Sequence, residues 1–290
     1  MGGLLSAHRD VFDQVLKHFC MSARLRARHQ KKNLKLQKSD AIILRYPKSG
    51  VTWLRVMISH IYWQRTKVAT SEIIGSTEFE KIVPGAPRIF IGAPLSLTAE
   101  MATAVGAKKA ILLLRDPRDI AVSLYFHMAK RSTALERAIY SVPSSFEEQG
   151  MFPFIVHPTY GMPQIIAFMN RWWPLTQGAP NSLVVRYEDM HSDPAPVLLE
   201  VMRLLGTEPS SEELRASVEF ASLEAMRERE RKGYFRANPL RPGNSADENS
   251  YKVRKGEVGG FVQYFTAAEL SEINALMLST LDRRIGYCDL

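Results

Sequence analysis

The residues with the clearest capacity for chemistry are Lys48, Ser49 and Gly50, which interrupt an otherwise apolar stretch. Lys48 supplies a mobile positive charge, while Ser49 and the nearby Thr52 supply hydroxyl donors. The apolar run before them predicts a buried strand, and the apolar spacing after them predicts a helix. A glycine-bearing loop between a strand and a helix directs free N–H groups and the positive end of the helix dipole at one spot. The stretch therefore predicts an anion-binding loop.

A second anion site is predicted around Arg115. This arginine ends the most apolar strand of the chain, and Asp116-Pro117 after it are a suitable N-cap and first helical residue. Ser123 follows eight residues after Arg115, two turns into the predicted helix. A forked guanidinium donor and a hydroxyl on an early helical turn suit a phosphate group.

Aromatic residues near these two stretches could support a purine base. Trp53 follows the first loop, and Tyr187 follows another predicted strand. Arg254-Lys255-Gly256 adds a basic pair with a glycine that permits close approach of the backbone. Each of these residues alone could be structural, as a salt-bridge arginine or a core aromatic side chain. Together they offer two anion sites and a base platform, which is what a bisphosphorylated adenosine requires.

The elements that must position these residues are four strands, which alternate with helices. We predict the strands at 41–45, 88–91, 109–114 and 182–186. This alternation predicts an α/β fold, with a parallel β-sheet flanked by helices on both faces. Sites in such sheets lie beyond the carboxyl ends of the strands, where all three chemical stretches fall.

Three stretches are predicted to lack regular structure. The polar, proline-punctuated segments 64–87 and 141–160 are expected to be irregular, and 231–260 is expected to be a long loop.

Composition indicates an ordinary soluble globular chain that needs neither metal nor disulfide. The chain has 290 residues, 46% of them apolar and 23% charged. Two unpatterned cysteines, Cys20 and Cys288, favour a reducing compartment, and no apolar run is long enough for a membrane span. No signal peptide is recognisable at the N-terminus, so we expect a cytoplasmic location.

The net charge of +8 is concentrated near the N-terminus, which suggests residues 1–38 as a basic amphipathic arm before a domain over 39–290. The arm carries these basic residues and no acidic one after position 17: Lys17, Arg24, Arg26, Arg28, Lys31, Lys32, Lys35 and Lys38. Residues 9–38 could rest on anionic lipid as an interfacial helix with a polybasic continuation. They could equally form a helix packed on the domain with a solvated, charged end. Because the basic residues are clustered in the arm, we expect no binding of nucleic acid by the core.

Residues 46–53, Tyr-Pro-Lys-Ser-Gly-Val-Thr-Trp, resemble the 5′-phosphosulfate loop of sulfotransferases that use 3′-phosphoadenosine 5′-phosphosulfate (PAPS). Arg115 with Ser123 is similar to the 3′-phosphate motif of that family, and Tyr187-Glu-Asp-Met to the motif whose tyrosine contacts adenine. The resemblance runs from about residue 40 to 270 with the motifs in family order. It implies a divergent, bacterial-like member of the cytosolic type with a P-loop-like nucleotide-binding fold.

The resemblance also implies roles for individual residues. Arg254, Lys255 and Gly256 match the segment that wraps the 3′-phosphate, and Leu223 stands in the segment that lines the adenine pocket. The implied cofactor-binding residues are Lys48, Ser49, Gly50, Val51, Thr52, Trp53, Arg115, Ser123, Tyr187, Leu223, Arg254, Lys255 and Gly256. PAPS would be the co-substrate and 3′-phosphoadenosine 5′-phosphate (PAP) the product, with no metal required.

This sequence departs from the family pattern at several positions. Gly260 and Phe261 stand where Asp-Trp is usual, and Ala221 and Leu223 replace threonine and phenylalanine beside the adenine. The segment 88–97 resembles the family's base motif, but Gly92 or Ala93 falls where that motif has its general-base histidine.

Another group must then receive the acceptor's proton, unless the acceptor is acidic enough to need no strong base. His127 is the first candidate, because it lies at i+4 from Ser123 on one helical face. The other candidates are Glu78, Glu80, His60, His157 and His191.

The implied activity is transfer of a sulfuryl group from PAPS to a hydroxyl or amine, with Lys48 and the loop amides stabilising the developing negative charge. The acceptor could be a small molecule, a lipid or a carbohydrate, and the sequence indicates no oligomeric state. The missing histidine leaves open a nucleotide-binding protein without catalysis. An ATP-dependent kinase is disfavoured, because the loop lacks the G-x-x-x-x-G-K-[ST] spacing.

Overall fold

The computed structural model describes residues 30–67, 71–76, 78–92, 99–235, 240, 247, 250–253 and 255–288. Contacts divide the chain into two units, Met1–Ser39 and Asp40–Leu290. In the first unit, residues 30–37 are helical. The amphipathic segment from residue 9 and much of the predicted 231–260 loop lie outside the described residues. The predicted arm and its lipid contact therefore stay predictions.

The second unit is built on a parallel sheet in the order β2-β1-β3-β4. Its strands are β1 (Ala41–Arg45), β2 (Ile89–Gly92), β3 (Lys109–Leu114) and β4 (Ser182–Arg186). Ala41 pairs with Ile89 on one side and with Lys109 on the other, and Ala110 pairs with Ser182. The predicted α/β fold with a parallel sheet is confirmed, with the second strand one residue later than expected. All four carboxyl ends lie along the same edge.

Helices fill the connections between these strands. After β1 come α1 (Val51–Thr66) and α2 (Phe79–Ile82), and α3 (Ala99–Ala107) follows β2. Between β3 and β4 lie α4 (Pro117–Lys130), α5 (Ala134–Ile139), a 3-10 helix (Phe146–Gln149), α6 (Met151–Val156) and α7 (Met162–Gln177). After β4 come α8 (Tyr187–Ser192), α9 (Pro194–Leu205), α10 (Ser211–Phe220), α11 (Leu223–Arg231), the 3-10 helix Gly260–Tyr264, α12 (Ala267–Thr280) and the 3-10 helix Arg283–Ile285. None of the described helices is long and apolar enough to cross a membrane.

The two faces of the sheet bury alternate side chains under different helices. Ile43 and Ile111 belong to one apolar core with Leu54 of α1 and Leu198 of α9. Leu112 alternates to the opposite face and is also fully buried. There α3 and α7 contact the sheet, as expected for a parallel sheet covered on both faces.

Two predicted irregular segments contain short helices. Within 141–160, helix α6 includes Pro153, which lies in its first turn and therefore breaks no intrahelical hydrogen bond. The segment 64–87 contains the single-turn helix α2. Proline was thus a poor guide to irregular structure at 153, because its position within a helix decides its effect.

We predict that Leu112→Ala lowers the free energy of unfolding by about 2–5 kcal/mol, because it leaves a cavity in the most central part of the sheet. Urea denaturation followed by circular dichroism measures the change. Leu278→Ala is the matched control: this leucine is 44% exposed, so its truncation should change stability by less than about 0.5 kcal/mol. Equal losses in the two variants would contradict the assigned burial.

Candidate active site

The loop after β1 is closed by its own serine. Ser49 donates to the carbonyl oxygen of Tyr46 twice, from its backbone nitrogen at 3.4 Å and from its hydroxyl at 2.9 Å. Lys48 and Gly50 both have positive φ angles, 78° and 92°. The Ser49 hydroxyl, predicted to donate toward a ligand, therefore donates within the loop. The first N–H groups of α1 have no partner inside the helix, so Val51 and Thr52 bring donors to this point.

Gly50 is required by a close approach as well as by its φ angle. A Cβ atom placed there would lie 2.5 Å from Cδ2 of Tyr187, which is far inside van der Waals contact. The Tyr187 ring also meets Trp53 edge-on, with 5.7 Å between ring centroids. The predicted aromatic pair is therefore brought together at the loop.

Arg115 joins three segments that are distant in the sequence. Its guanidinium donates to the carbonyl oxygen of Lys48 at 3.3 Å and to that of Glu257 at 2.9 Å. It also stacks over the Tyr187 ring, 4.1 Å from the centroid, and lies 3.8 Å from the carboxylate of Asp119. Its Nε is buried and has no hydrogen-bond partner among the described residues, so one donor stays available to a ligand.

The segment 255–261, which we name the C-terminal strap, is held on this cluster by its backbone. Tyr187 donates its hydroxyl to the Gly256 carbonyl at 2.9 Å. Asp119 accepts from the N–H groups of Gly259 (2.8 Å) and Phe261 (3.1 Å). At Gly256, where φ is 70°, a Cβ atom would lie 2.8 Å from Leu223. The strap thus joins Leu223 to the loop residues.

Positive charge is concentrated around Lys48. The pKa of its ammonium is held well below the ordinary value, first by burial and then by the charges of Lys252, Arg131 and Arg115. Among the described residues, no hydrogen bond or ion pair engages this ammonium. Such a group of like charges is stabilised by an anion, which would neutralise it.

His127 lies within the field of this group. Its Nε2 is 3.0 Å from Oε1 of Glu136, and its Nδ1 is buried with no hydrogen-bond partner in the part of the chain that the structure describes. Burial lowers the pKa of His127 to about 4, with further lowering by Lys48 and Lys252 and opposition from Glu136. The ring is therefore neutral near pH 7. Because Nε2–H donates to the carboxylate, Nδ1 carries the free lone pair.

Other predicted residues have different surroundings. The Ser123 hydroxyl is half-buried and has no hydrogen-bond partner within the described part of the chain. Lys255 donates to Gln263 at 2.9 Å. Arg254 and Ala93 lie outside the described residues.

The other base candidates have local partners. Glu78 pairs with Lys81 at 2.9 Å, and His60 lies 3.0 Å from the hydroxyl of Ser217. His157 stacks on Tyr160, with 3.7 Å between ring centroids. His191 lies tilted against Tyr187 at 6.2 Å, and Glu80 follows Phe79 in the first turn of α2. None of these contacts offers a nitrogen or carboxylate prepared in the way that His127 is.

Sequence reasoning missed several charged residues of the site. Arg45, Arg131 and Lys252 contribute cations, while Glu136 and Glu230 contribute carboxylates. Arg45 had a detectable signal, because a charged residue that ends a buried parallel strand must lie at the sheet's functional edge. The others come from connections whose packing gives no local signal. Within the described residues, no group of three or more His, Cys, Asp or Glu side chains could hold a metal ion.

Three features lie at one edge of the parallel sheet: the loop that carries Lys48, which we name the lysine loop, the contacts of Arg115, and the paired rings of Trp53 and Tyr187. This combination is typical of nucleotide-binding α/β transferases. The family model for the sulfotransferase domain matches residues 38–283. The chain therefore belongs to the sulfotransferase family, and it is a PAPS-dependent sulfotransferase.

Individual relatives agree with this assignment. Human Sulfotransferase 2A1 is 26% identical over 255 residues, covering 83% of this chain and 84% of that protein. The 3-beta-hydroxysteroid sulfotransferase of Cavia porcellus is 25% identical over 255 residues and covers 83% of each chain. The crystal structure of mouse sulfotransferase SULT7A1 complexed with PAP has a TM-score of 0.58 at 21% identity, covering 83% of this chain and 84% of that one. This last likeness shows the shared fold.

We predict that Gly50→Ala weakens PAP binding by about tenfold or more, because the added Cβ atom displaces Tyr187 and strains the loop. Isothermal titration calorimetry measures the affinity. Gly85→Ala is a matched control, since Gly85 has a φ of 83° but no atom within 4 Å of the added Cβ. Equal effects of the two substitutions would show that backbone strain alone, and not the approach of Tyr187, decides the outcome.

Proposed function

We propose that the chain transfers the sulfuryl group of PAPS to a hydroxyl group of a small organic acceptor, with Lys48 at the reactive end and His127 as the general base. The observation that carries the proposal is the unpaired charge at one point: the Lys48 ammonium and the Arg115 Nε both lack partners among the described residues. The name of the Cavia porcellus relative, a hydroxysteroid sulfotransferase, supports a hydroxyl acceptor. A lipid, a carbohydrate or an amine acceptor would use the same chemistry.

The donor nucleotide fits the residues that meet at the sheet edge. Lys48 with the first N–H groups of α1 would hold the 5′-phosphosulfate, and Arg115 with Ser123 would hold the 3′-phosphate. Trp53, Tyr187 and Leu223 offer apolar and aromatic surface to the adenine. Among the described residues, neither the Arg115 Nε nor the Ser123 hydroxyl has a hydrogen-bond partner, which supports this division.

The reaction exchanges one sulfur–oxygen bond for another. The bond between sulfur and the 5′-phosphate oxygen breaks, a bond from sulfur to the acceptor oxygen forms, and the acceptor's hydroxyl proton leaves. Negative charge grows on the bridging phosphate oxygen as it becomes the leaving group. The Lys48 ammonium and the loop amides are fixed donors for this charge and need little reorganisation.

His127 is suited to take the acceptor's proton. It is neutral near pH 7, its free Nδ1 is an acceptor, and Glu136 orients the ring through Nε2. Glu136 also stabilises the imidazolium that forms on protonation. A bound, negatively charged donor would offset the charge of Lys48, which raises the pKa of His127 and makes it a stronger base in the complex.

We predict that Lys48→Met weakens PAP binding by about 10- to 100-fold and abolishes transfer, because a charge-assisted hydrogen bond to phosphate is lost. Calorimetry with PAP and transfer of labelled sulfate from PAPS measure the two effects. Lys81→Met serves as the control, since this exposed lysine pairs only with Glu78 in the described structure. Undetectable PAP binding by the wild-type protein would refute the proposed donor site.

We predict that His127→Gln lowers kcat by about 10²- to 10⁴-fold, the usual contribution of a general base, and leaves PAP affinity unchanged. The kcat of the wild type should fall on the acid side, as protonation of His127 removes its free lone pair. The pH profile of the residual activity of His127→Gln should lack this fall on the acid side. The matched control is His157→Gln, whose ring stacks on Tyr160.

The pH range of this experiment needs a stability check. Because the pKa of His127 is lower in the folded chain than in the unfolded one, folding stability falls as pH drops from about 6.5 towards 4. Circular dichroism at each pH separates unfolding from loss of catalysis. If His127→Gln retained full kcat, the base would have to be sought elsewhere; transfer by neither protein, with PAP still bound, would favour the non-catalytic alternative that the altered 88–97 motif raised.

A further inference from the structure

A second group of charges lies beside the reactive end and is not among the residues proposed above to contact the donor. It consists of Arg45, Arg131 and Lys252 with two carboxylates, Glu136 and Glu230; we name it the Arg45 cluster. The charge of Lys252 acts on both Lys48 and His127, so the cluster adjoins the proposed base. Arg115, with its own partners Tyr187, Asp119 and Glu257, is not among the charges that act on Arg45 or Lys252.

Arg45 reaches this position through the sheet. It is the last residue of β1, immediately before Tyr46 and the lysine loop, so its side chain leaves the sheet at the functional edge. Its Nε is buried and has no hydrogen-bond partner among the described residues. Burial lowers its pKa, and interactions with Tyr140 and Glu136 oppose this. A guanidinium stays protonated in proteins, so Arg45 is a buried cation with an unused donor.

Lys252 is the second cation without a partner. Burial, followed by the charges of Arg45 and Arg131, lowers its pKa to about 8. Its ammonium makes no hydrogen bond or ion pair with any described residue. Only its backbone nitrogen is engaged, donating to Glu230 at 2.6 Å.

The two carboxylates are already committed. Glu230 is 3.5 Å from Arg131 and accepts from the backbone nitrogens of Lys252 and Val253. Glu136 accepts from His127. Among the described residues, neither carboxylate is paired with the side chain of Arg45 or Lys252. An uncompensated buried charge is costly, and a ligand of opposite charge removes that cost.

We propose that Arg45 and Lys252 bind a negatively charged group of the acceptor, so that the preferred acceptor is a hydroxyl compound carrying a carboxylate or a comparable monoanion. This inference rests on the proposed function. Arg45 provides a fork that matches a carboxylate, and Lys252 provides a point charge. A neutral acceptor, such as an unsubstituted alcohol, would leave both cations unpaired.

The test compares acceptors that differ only in charge. Each pair contains a hydroxy acid and its neutral amide: 4-hydroxyphenylacetate with its amide, 4-(hydroxymethyl)benzoate with its amide, and a 3-hydroxy bile acid with its amide. Transfer of labelled sulfate gives kcat/KM for each member, and calorimetry gives PAP affinity in parallel. The wild type should prefer the acid in at least one pair by about 10- to 100-fold, as expected for a charge-assisted hydrogen bond.

Arg45→Gln and Lys252→Met should each reduce kcat/KM for the acid by about tenfold or more, while transfer to the amide falls far less and PAP affinity changes far less than in Lys48→Met. The preference of the wild type should also weaken above pH 8, where Lys252 loses its proton. Arg203→Gln is the matched control, because Arg203 is exposed and pairs with Glu208 at 2.8 Å. Thermal unfolding verifies that each variant is folded.

Three results would overturn the inference. Equal use of acid and amide by the wild type in every pair, or no transfer to any acid, would show that the acceptor carries no anion into the cluster. A loss of PAP affinity in Arg45→Gln comparable to that in Lys48→Met would assign the cluster to the donor. Failure of the wild type to bind PAP is a different outcome, because it would refute the donor site and not only the acceptor preference.

Discussion

The site depends above all on the contacts of Arg115. This side chain connects the lysine loop, the aromatic ring after β4 and the C-terminal strap, and in two of these contacts it bonds to backbone carbonyl groups. Backbone partners fix the path of each segment whatever its side chains are. Asp119, one turn after Arg115, holds the strap by two of its N–H groups. The start of α4 therefore both forms the site and closes it.

The same construction places positive charges closer together than an empty protein would favour. Lys48 is influenced by Lys252, Arg131 and Arg115, and only Glu230 opposes them appreciably. A fold that keeps such a group gives up some stability and gains affinity for anions, because a bound anion neutralises the repulsion. Positive φ angles at Lys48 and Gly50 add a small backbone cost at the same point. By mass action, a tightly bound anionic nucleotide stabilises the folded chain, which offsets both costs.

Local patterns were sufficient to predict most of the fold and part of the site. The four strands are short apolar runs that end at turn or charge signals, and β3 matches its predicted bounds. Asp116 caps α4 and Pro117 begins it, as their chemistry indicates. Because the sheet is parallel, knowing its strands was enough to bring Lys48, Arg115 and Tyr187 to one edge. The charged neighbours were not predictable in this way, because no local pattern indicates that the charge of Arg45 acts on Lys252, which lies far away in the sequence.

In the segment 88–97 the general-base histidine of the family motif is missing, and sequence and structure together explain this departure best. At Gly92 the structure leaves no room for a side chain, since a Cβ atom would lie 2.6 Å from the ring of Phe90. Phe90 is buried, so the ring cannot move aside without opening the core. A base at that position would need a rearranged strand end and not merely a substitution. His127 approaches from a different helix, is oriented by Glu136, and lies in the field of both Lys48 and Lys252. In the proposed function this ring would take the acceptor's proton between the donor site and the proposed Arg45 subsite, so the charge of each ligand would tune its basicity.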